Sequence, residues 1–255
     1  MACLKHESMD TMRKPKTTKA KQPASQDGGE TAEPRGARRK RETRSRLLDA
    51  ALRLMSEKGM EGVAINEITE AADVGFGSFY NHFDSKDAIY AALMDDAFER
   101  FADSLDQLVE DVTDPAEVIS ISVRHTVRRA LESPVWGRFV IRQGLSADSL
   151  TRGLGRRLLR DIQRGVDSGR FKTNDPMMTF IATGGAVLGA ISAALPPRQA
   201  DAANNTLIRR LGFKDAEVPE RTAAVILRIL GLSATAADSV ARRTLPELTG
   251  PATNR

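Results

Sequence analysis

Residues 71–87 read Ala71-Ala72-Asp73-Val74-Gly75-Phe76-Gly77-Ser78-Phe79-Tyr80-Asn81-His82-Phe83-Asp84-Ser85-Lys86-Asp87. They open on the end of a short helix running through Asn66 to Ala72, with Ile65, Ile68 and Ala72 facing inward and Ala71 small enough for a neighbour to come close. Asp73-Val74-Gly75 breaks it. A second short helix, Phe76 to about Phe83, follows, and Phe79 and Phe83 at i, i+4 supply its buried face. At about 100° per residue the positions opposite Phe79 are Gly77 and Asn81, with Tyr80 on one flank and Ser78 and His82 on the other. Two short helices joined by a tight turn, the second with small and polar residues outward, is the arrangement that lays a helix in a DNA major groove.

Upstream, Leu47, Leu48, Ala51, Leu54 and Met55 recur at helical spacing from a cap at Thr43 to a stop at Gly59, which predicts a first helix ahead of the pair. Downstream, Asp84 is suited to accept a backbone N–H near Asp87, so a fourth helix starts there and is expected to reach Val112. Helical patterns then cover about 114–132, 134–146, 147–168, 176–195 and 218–243, the last interrupted near Gly231. Breaks at Asp114-Pro115, Ser133-Pro134, Gly169, Asn174-Asp175-Pro176 and Pro196-Pro197 separate them. No period-two alternation and no internal repeat appears, so the fold class is all-α.

The stretch from Ala71 to Asp87 resembles the signature of the tetracycline-repressor (TetR) family of bacterial regulators, and the resemblance extends over residues 44–90. It implies an N-terminal three-helix helix-turn-helix DNA-binding domain (41–88) and a C-terminal helical ligand-binding and dimerisation domain (89–255). It further implies that Lys86 contacts phosphate, that the Tyr80 hydroxyl and His82 touch the DNA backbone, and that Ser78 reaches phosphate or base. Gly77 would let the helix backbone approach the duplex. Base readout falls to Asn66, Phe76 and Asn81, asparagine being able to pair bidentately with adenine. For Phe76 two readings stand, a shoulder of the buried face by helical count and a thymine-methyl contact by resemblance. Three departures remove a cap or a residue suited to positive φ: Gly75 replaces the family's usual serine, Asp73 its glycine and Ala64 its threonine.

Charge is unevenly placed in this chain of net charge +4: residues 1–46 carry +7 and the remainder −3. Residues 1–40 read as a disordered basic arm, and the run Arg35, Arg38, Arg39, Lys40, Arg41 either follows a phosphate backbone or is a solvated tail. Residues 43–88 hold 5 Lys/Arg against 8 Asp/Glu, so non-specific DNA affinity is expected to lean on that arm and on Arg44 and Arg46.

The single cysteine, Cys3, excludes a disulfide scaffold or a cysteine-built zinc site, and with no apolar segment behind it the expected location is the cytoplasm. Three histidines without metal-ligand spacing, no phosphate loop and no G-x-S-x-G element leave an enzyme, a cofactor or a metal without support.

Residues 176–197 contain no charge. A membrane span is one reading, weakened by glycines, threonines and the prolines at its ends. The other is a buried helix whose small residues, Gly185, Gly189 and Ala193, let a partner helix approach. The resemblance implies that this helix and 218–232 form a four-helix dimer interface, matching a palindromic operator. A small-molecule effector site, also implied, has candidates in His125, Trp136, Phe139, Arg142, Met177 and Phe180, for which the plainer reading is core, gap-filling or ordinary helix residues. The expected function is therefore a homodimeric repressor released by an effector. The alternative is a DNA-bound structural or partner-recruiting protein of the same fold without one.

Overall fold

The computed structural model describes residues 35–144, 152–196, 212–214 and 216–248, and every regular element among them is helical. The first helix, α1 (Arg35–Lys58), buries Leu47, Ala50, Ala51 and Met55 and stops at Gly59, whose φ of +79° suits glycine. It begins eight residues before Thr43, so residues 35–41 are helical, contrary to the expectation of a disordered arm reaching residue 40. Alanine, arginine and lysine are good helix formers, and Arg38 pairs with Glu42 one turn on at 2.8 Å. A helix already nucleated by its apolar stripe extends through such residues without a core of its own. Residues 1–34 of the expected arm lie outside the described residues.

The pair α2 (Ile65–Ala71) and α3 (Phe76–Tyr80) packs Ile68 and fully buried Phe79 into the same core as Leu47 and Ala51. Regular α3 ends at Tyr80, three residues short of the expected Phe83. The Phe83 amide still donates to the Phe79 carbonyl at 2.9 Å and the two rings lie 5.8 Å apart, so the i, i+4 pair survives in a closing turn.

Then comes α4 (Lys86–Met94), capped by Ser85 rather than Asp84. Ser85 is extended, and its Oγ accepts from the Ala88 N–H at 3.1 Å, three residues along as an N-cap requires. The chain continues without a break through a π-helical segment, Asp95–Arg100, into α5 (Phe101–Leu108), four residues short of Val112. The result is one rod from Lys86 to Leu108.

The remaining helices are α6 (Pro115–Glu132), α7 (Pro134–Gln143), α8 (Gly153–Asp167), α9 (Pro176–Ala194), α10 (Val218–Ile229) and α11 (Ala234–Ala241). Asp114 and Asp175 cap α6 and α9 at 3.0 Å, each followed by proline at the first helical turn, where no N–H is missed. Gly231, at φ +92°, makes the break expected there between α10 and α11. Gly153 opens α8, and residues 145–146 of the helix expected over 134–146 and 147–151 of the one expected from 147 lie outside the described residues. At the centre, α6 packs against α7, α8, α9, α10 and α11, while α7 also packs against α1.

Candidate nucleic-acid interface and cavity

The α2–α3 turn is built without the residues usually found there. Asp73 adopts φ +52°, and Gly75 and Ala64 stand at the N-caps of α3 and α2 without a side-chain cap. Partial compensation is visible. The Ala64 N–H donates to Glu67 Oε2 at 2.9 Å, half of a capping box, and Arg46 of α1 donates to the Asp73 carbonyl at 3.3 Å.

The face opposite Phe79 is open. Phe76 and Tyr80 are 55% and 49% exposed and touch edge to face at 5.6 Å, so Phe76 stands outside the core and not on its shoulder. Asn66, Gly77 and Asn81 are exposed, Ser78 and His82 half-buried, and nothing among the described residues lies within 4 Å of a Cβ built on Gly77. Lys86 begins α4, half-buried. Arg44 lies over the Phe83 ring, 5.1 Å from its centroid. Desolvation, then the charges of Lys40 and Arg44, holds the His82 imidazole below its ordinary value, and its buried Nδ1 has no hydrogen-bond partner among the described residues. The residues singled out in the sequence are thus exposed or half-buried on α2, α3, the turn after it and the start of α4, and Arg44 and Lys40 of α1 lie near Phe83 and His82.

A cavity of about 320 Å³ opens between α5, α6, α7, α8 and α9. Most of its wall is apolar, including Leu105, Val123, Leu158, Phe180 and Leu188, and one corner carries Asp106, Arg157 and Asp161. Arg157 donates to Asp106 at 2.7 Å and Glu99 at 3.0 Å and also pairs with Asp103. Arg160 bridges Asp106 at 2.7 Å and Asp161 at 2.8 Å. Desolvation pushes the Asp106 carboxyl up, but hydrogen bonds and charges from the two arginines outweigh it and hold it below the usual range. For Asp161, deeper in the fold, desolvation prevails over Arg160 and the carboxyl is pushed up.

Of the candidates named for an effector site, only Phe180 lines this cavity. His125 is buried against the C-terminal segment with Nε2 3.0 Å from the Pro246 carbonyl. Phe139 and Trp136 are core, Met177 is 53% exposed, and Arg142 reaches α1 instead. The polar corner was missed, yet a signal existed: Arg157 and Asp161 fall within the i, i+3, i+4, i+7 stripe of Leu154, Leu158 and Ile162 on α8. Charges inside an apolar stripe are buried or lie beside a cavity.

The α9 helix is, by length and composition, apolar enough to cross a membrane, with a mean hydropathy of 1.6. In the fold Phe180, Thr183 and Ile191 are buried, and the helix packs on α6, α7, α8 and α10. Gly185 and Gly189 face outward with nothing among the described residues within 4 Å of a built Cβ, and Ala193 is half-buried. No group of three metal-ligating side chains is found among the described residues.

An open recognition surface on a short helix pair, carried beside a cavity-bearing helical body, defines a helix-turn-helix protein of the all-helical kind. Known proteins agree. The family described as bacterial regulatory proteins, tetR family, matches residues 47–93, and that described as the tetracyclin repressor-like C-terminal domain matches residues 114–243. The chain belongs to the TetR family.

The crystal structure of RolR in complex with resorcinol is 37% identical, covering 84% of this chain and 100% of that one, with a TM-score of 0.59. An uncharacterized HTH-type transcriptional regulator of Mycobacterium tuberculosis is 32% identical over 98 residues, 38% of this chain and 48% of the relative. The HTH-type transcriptional repressor DhaR of Mycobacterium sp. strain GP1 is 35% identical over 72 residues, 28% of this chain and 36% of the repressor. The matches thus span about half or less of these two relatives.

Proposed function

We propose that the chain is a cytoplasmic, homodimeric transcriptional repressor that reads a palindromic operator through α3 and releases it when a small, largely apolar molecule bearing hydroxyl groups enters the cavity. The observation that carries this reading is the rod from Lys86 to Leu108. Its first residue, Lys86, follows α3 after the five-residue turn 81–85 and its first helix packs on α1, while its last turns place Ala102, Leu105 and Asp106 in the cavity wall. Occupancy that favours one tilt of the rod moves α3 with it, which is a population shift between two states.

A mostly apolar cavity with one charged corner suits a small aromatic diol, whose hydroxyls would donate to Asp161 or Asp106 and accept from Arg157. Resorcinol in RolR supports that class. Dimerisation is supported by the outward faces of α9 and α10, where Met178, Ile181, Val225 and Ile229 are exposed beside Gly185 and Gly189.

The test is selection of bound duplexes from a random pool, then titration of the winning site with resorcinol. An enriched palindrome released by resorcinol supports the reading. Enrichment without release favours the effector-free alternative, and no enrichment removes sequence-specific binding. On the selected site, Lys86→Ala and Tyr80→Ala should weaken all sequences alike, whereas Asn66→Ala, Phe76→Ala or Asn81→Ala relaxes one position each.

A further inference from the structure

The direction in which α1 faces its core is set by Leu47, Ala51 and Met55, all fully buried. Followed toward the N-terminus at i−3 and i−4 spacing, that stripe becomes Arg44 and then Lys40, with Arg41 on its shoulder. No side chain between residues 35 and 46 is buried. The stripe therefore changes from aliphatic to cationic where the helix passes the end of the three-helix core. The Arg38–Glu42 ion pair lies on the opposite side of the helix from Lys40.

What the cationic stripe meets is the end of α3. Arg44 covers Phe83, its guanidinium 5.1 Å from the ring centroid, and after burial the charges of Lys40 and Arg44 disfavour a positive charge on His82. Like charges gathered along one edge of an exposed surface are relieved by a polyanion, and a duplex seated on α3 brings its phosphates past this edge.

We propose that the N-terminal turns of α1 are a second, sequence-independent DNA contact, in which Lys40, flanked by Arg41, holds the phosphodiester backbone just outside the half-site read by α3. The proposal rests on the DNA-binding reading above and extends the footprint beyond the helix-turn-helix. Because Lys40 is exposed, its replacement leaves the fold intact.

The experiment uses the full chain and the duplex selected by the wild type; if none is selected, the DNA-binding reading itself fails. With a selected duplex in hand, Lys40→Gln, Lys40→Arg and wild type are titrated across salt concentrations and footprinted with hydroxyl radicals. Lys40→Gln should flatten the slope of log affinity against log salt by about 0.9 for each phosphate no longer neutralised, roughly 1.8 for a dimer. It should also lose protection at flanking phosphates only, and Lys40→Arg should retain both. An unchanged slope with unchanged flanks would overturn the proposal, as would altered base preference within the half-site. An equal loss in Lys40→Arg would also overturn it.

Discussion

Arg142, at the end of α7, donates from Nη2 to the main-chain carbonyl of Glu57 at 2.8 Å, satisfying a carbonyl in the last turn of α1 that the helix leaves without an internal partner. The next residue, Gln143, accepts from the Tyr90 hydroxyl of α4 at 2.9 Å, while Val140 and Gly144 line the cavity. Residues 140–144, where α7 ends, thus touch the cavity on one side and two helices of the DNA-binding unit on the other. Gly144 has no room for a side chain, since a Cβ there would come within 2.7 Å of the Val140 carbonyl and 2.8 Å of Leu188.

That arrangement makes Arg142 a coupling residue as well as a cap. Arg142→Ala should lower stability by about 1 kcal/mol, the worth of one hydrogen bond with a charged donor at an exposed site. Operator affinity should change little, whereas release by resorcinol should weaken several-fold. Anisotropy titrations of the selected duplex with and without resorcinol separate the effects, and an unaltered response in a folded variant would confine Arg142 to capping.

The uncapped helix starts give a stability prediction. Ala64 is already extended at φ −96° and ψ 154°, and Glu67 already accepts its N–H. Ala64→Thr should complete the capping box and raise unfolding free energy by about 1 kcal/mol. Asp73→Gly, at φ +52°, should add up to about 1 kcal/mol by removing a Cβ from left-handed backbone. Both are read as shifts in denaturant midpoint at constant slope.

These positions show what was legible in the sequence. The helix pair and its outward face were readable because Phe79 and Phe83 fix the phase of α3, and proline and glycine punctuate most later helices. The start of α1 was not, because charged residues that extend a nucleated helix look the same as those of a solvated arm. Asp84 and Ser85 are both good caps, and only backbone geometry chooses between them. The π segment leaves no periodic signature in six residues, and Arg157 reads as a surface charge until α5 and the π segment supply Glu99, Asp103 and Asp106 around it.

The cavity corner makes opposite predictions for two neighbours. Asp161 is pushed above its unfolded value, so the folded state binds the proton more readily and stability falls as pH rises through that window. At pH 7 the ionised group is a liability, and Asp161→Asn should leave stability equal or higher. Arg157→Met leaves three carboxylates short of a partner and should cost about 2 kcal/mol. A hydroxyl donor relieves the Asp161 carboxylate, so resorcinol should raise the melting temperature of the wild type more than that of Asp161→Asn.

Two histidines give the acid side of the pH profile. Burial first, in both His125 and His82, holds the imidazole below its unfolded value. The stability they confer is fully present above about pH 6.5 and is lost as pH falls toward their folded values. Urea midpoints at pH 7.5, 6.0 and 5.0 should decline for the wild type and decline less for His125→Gln. Because Asp106 and Asp114 are held low, a separate loss follows only in stronger acid, below about pH 4.

The exposed glycines of α9 carry the dimer prediction. Inside a helix each glycine forgoes about 1 kcal/mol relative to alanine, and among the described residues no atom lies within 4 Å of a Cβ built on exposed Gly185 or Gly189. Within one protomer that loss has no return, which is what a face reserved for close approach of a second helix looks like. Gly185→Leu and Gly189→Leu should therefore leave the protomer folded, with unchanged or higher helicity, while converting a dimer to a monomer in sedimentation. Operator affinity should fall at least tenfold, since one half-site is then held at a time. If both variants remain dimeric with full operator affinity, the partner helix approaches elsewhere, and the face formed by Val225 and Ile229 on α10 becomes the one to alter.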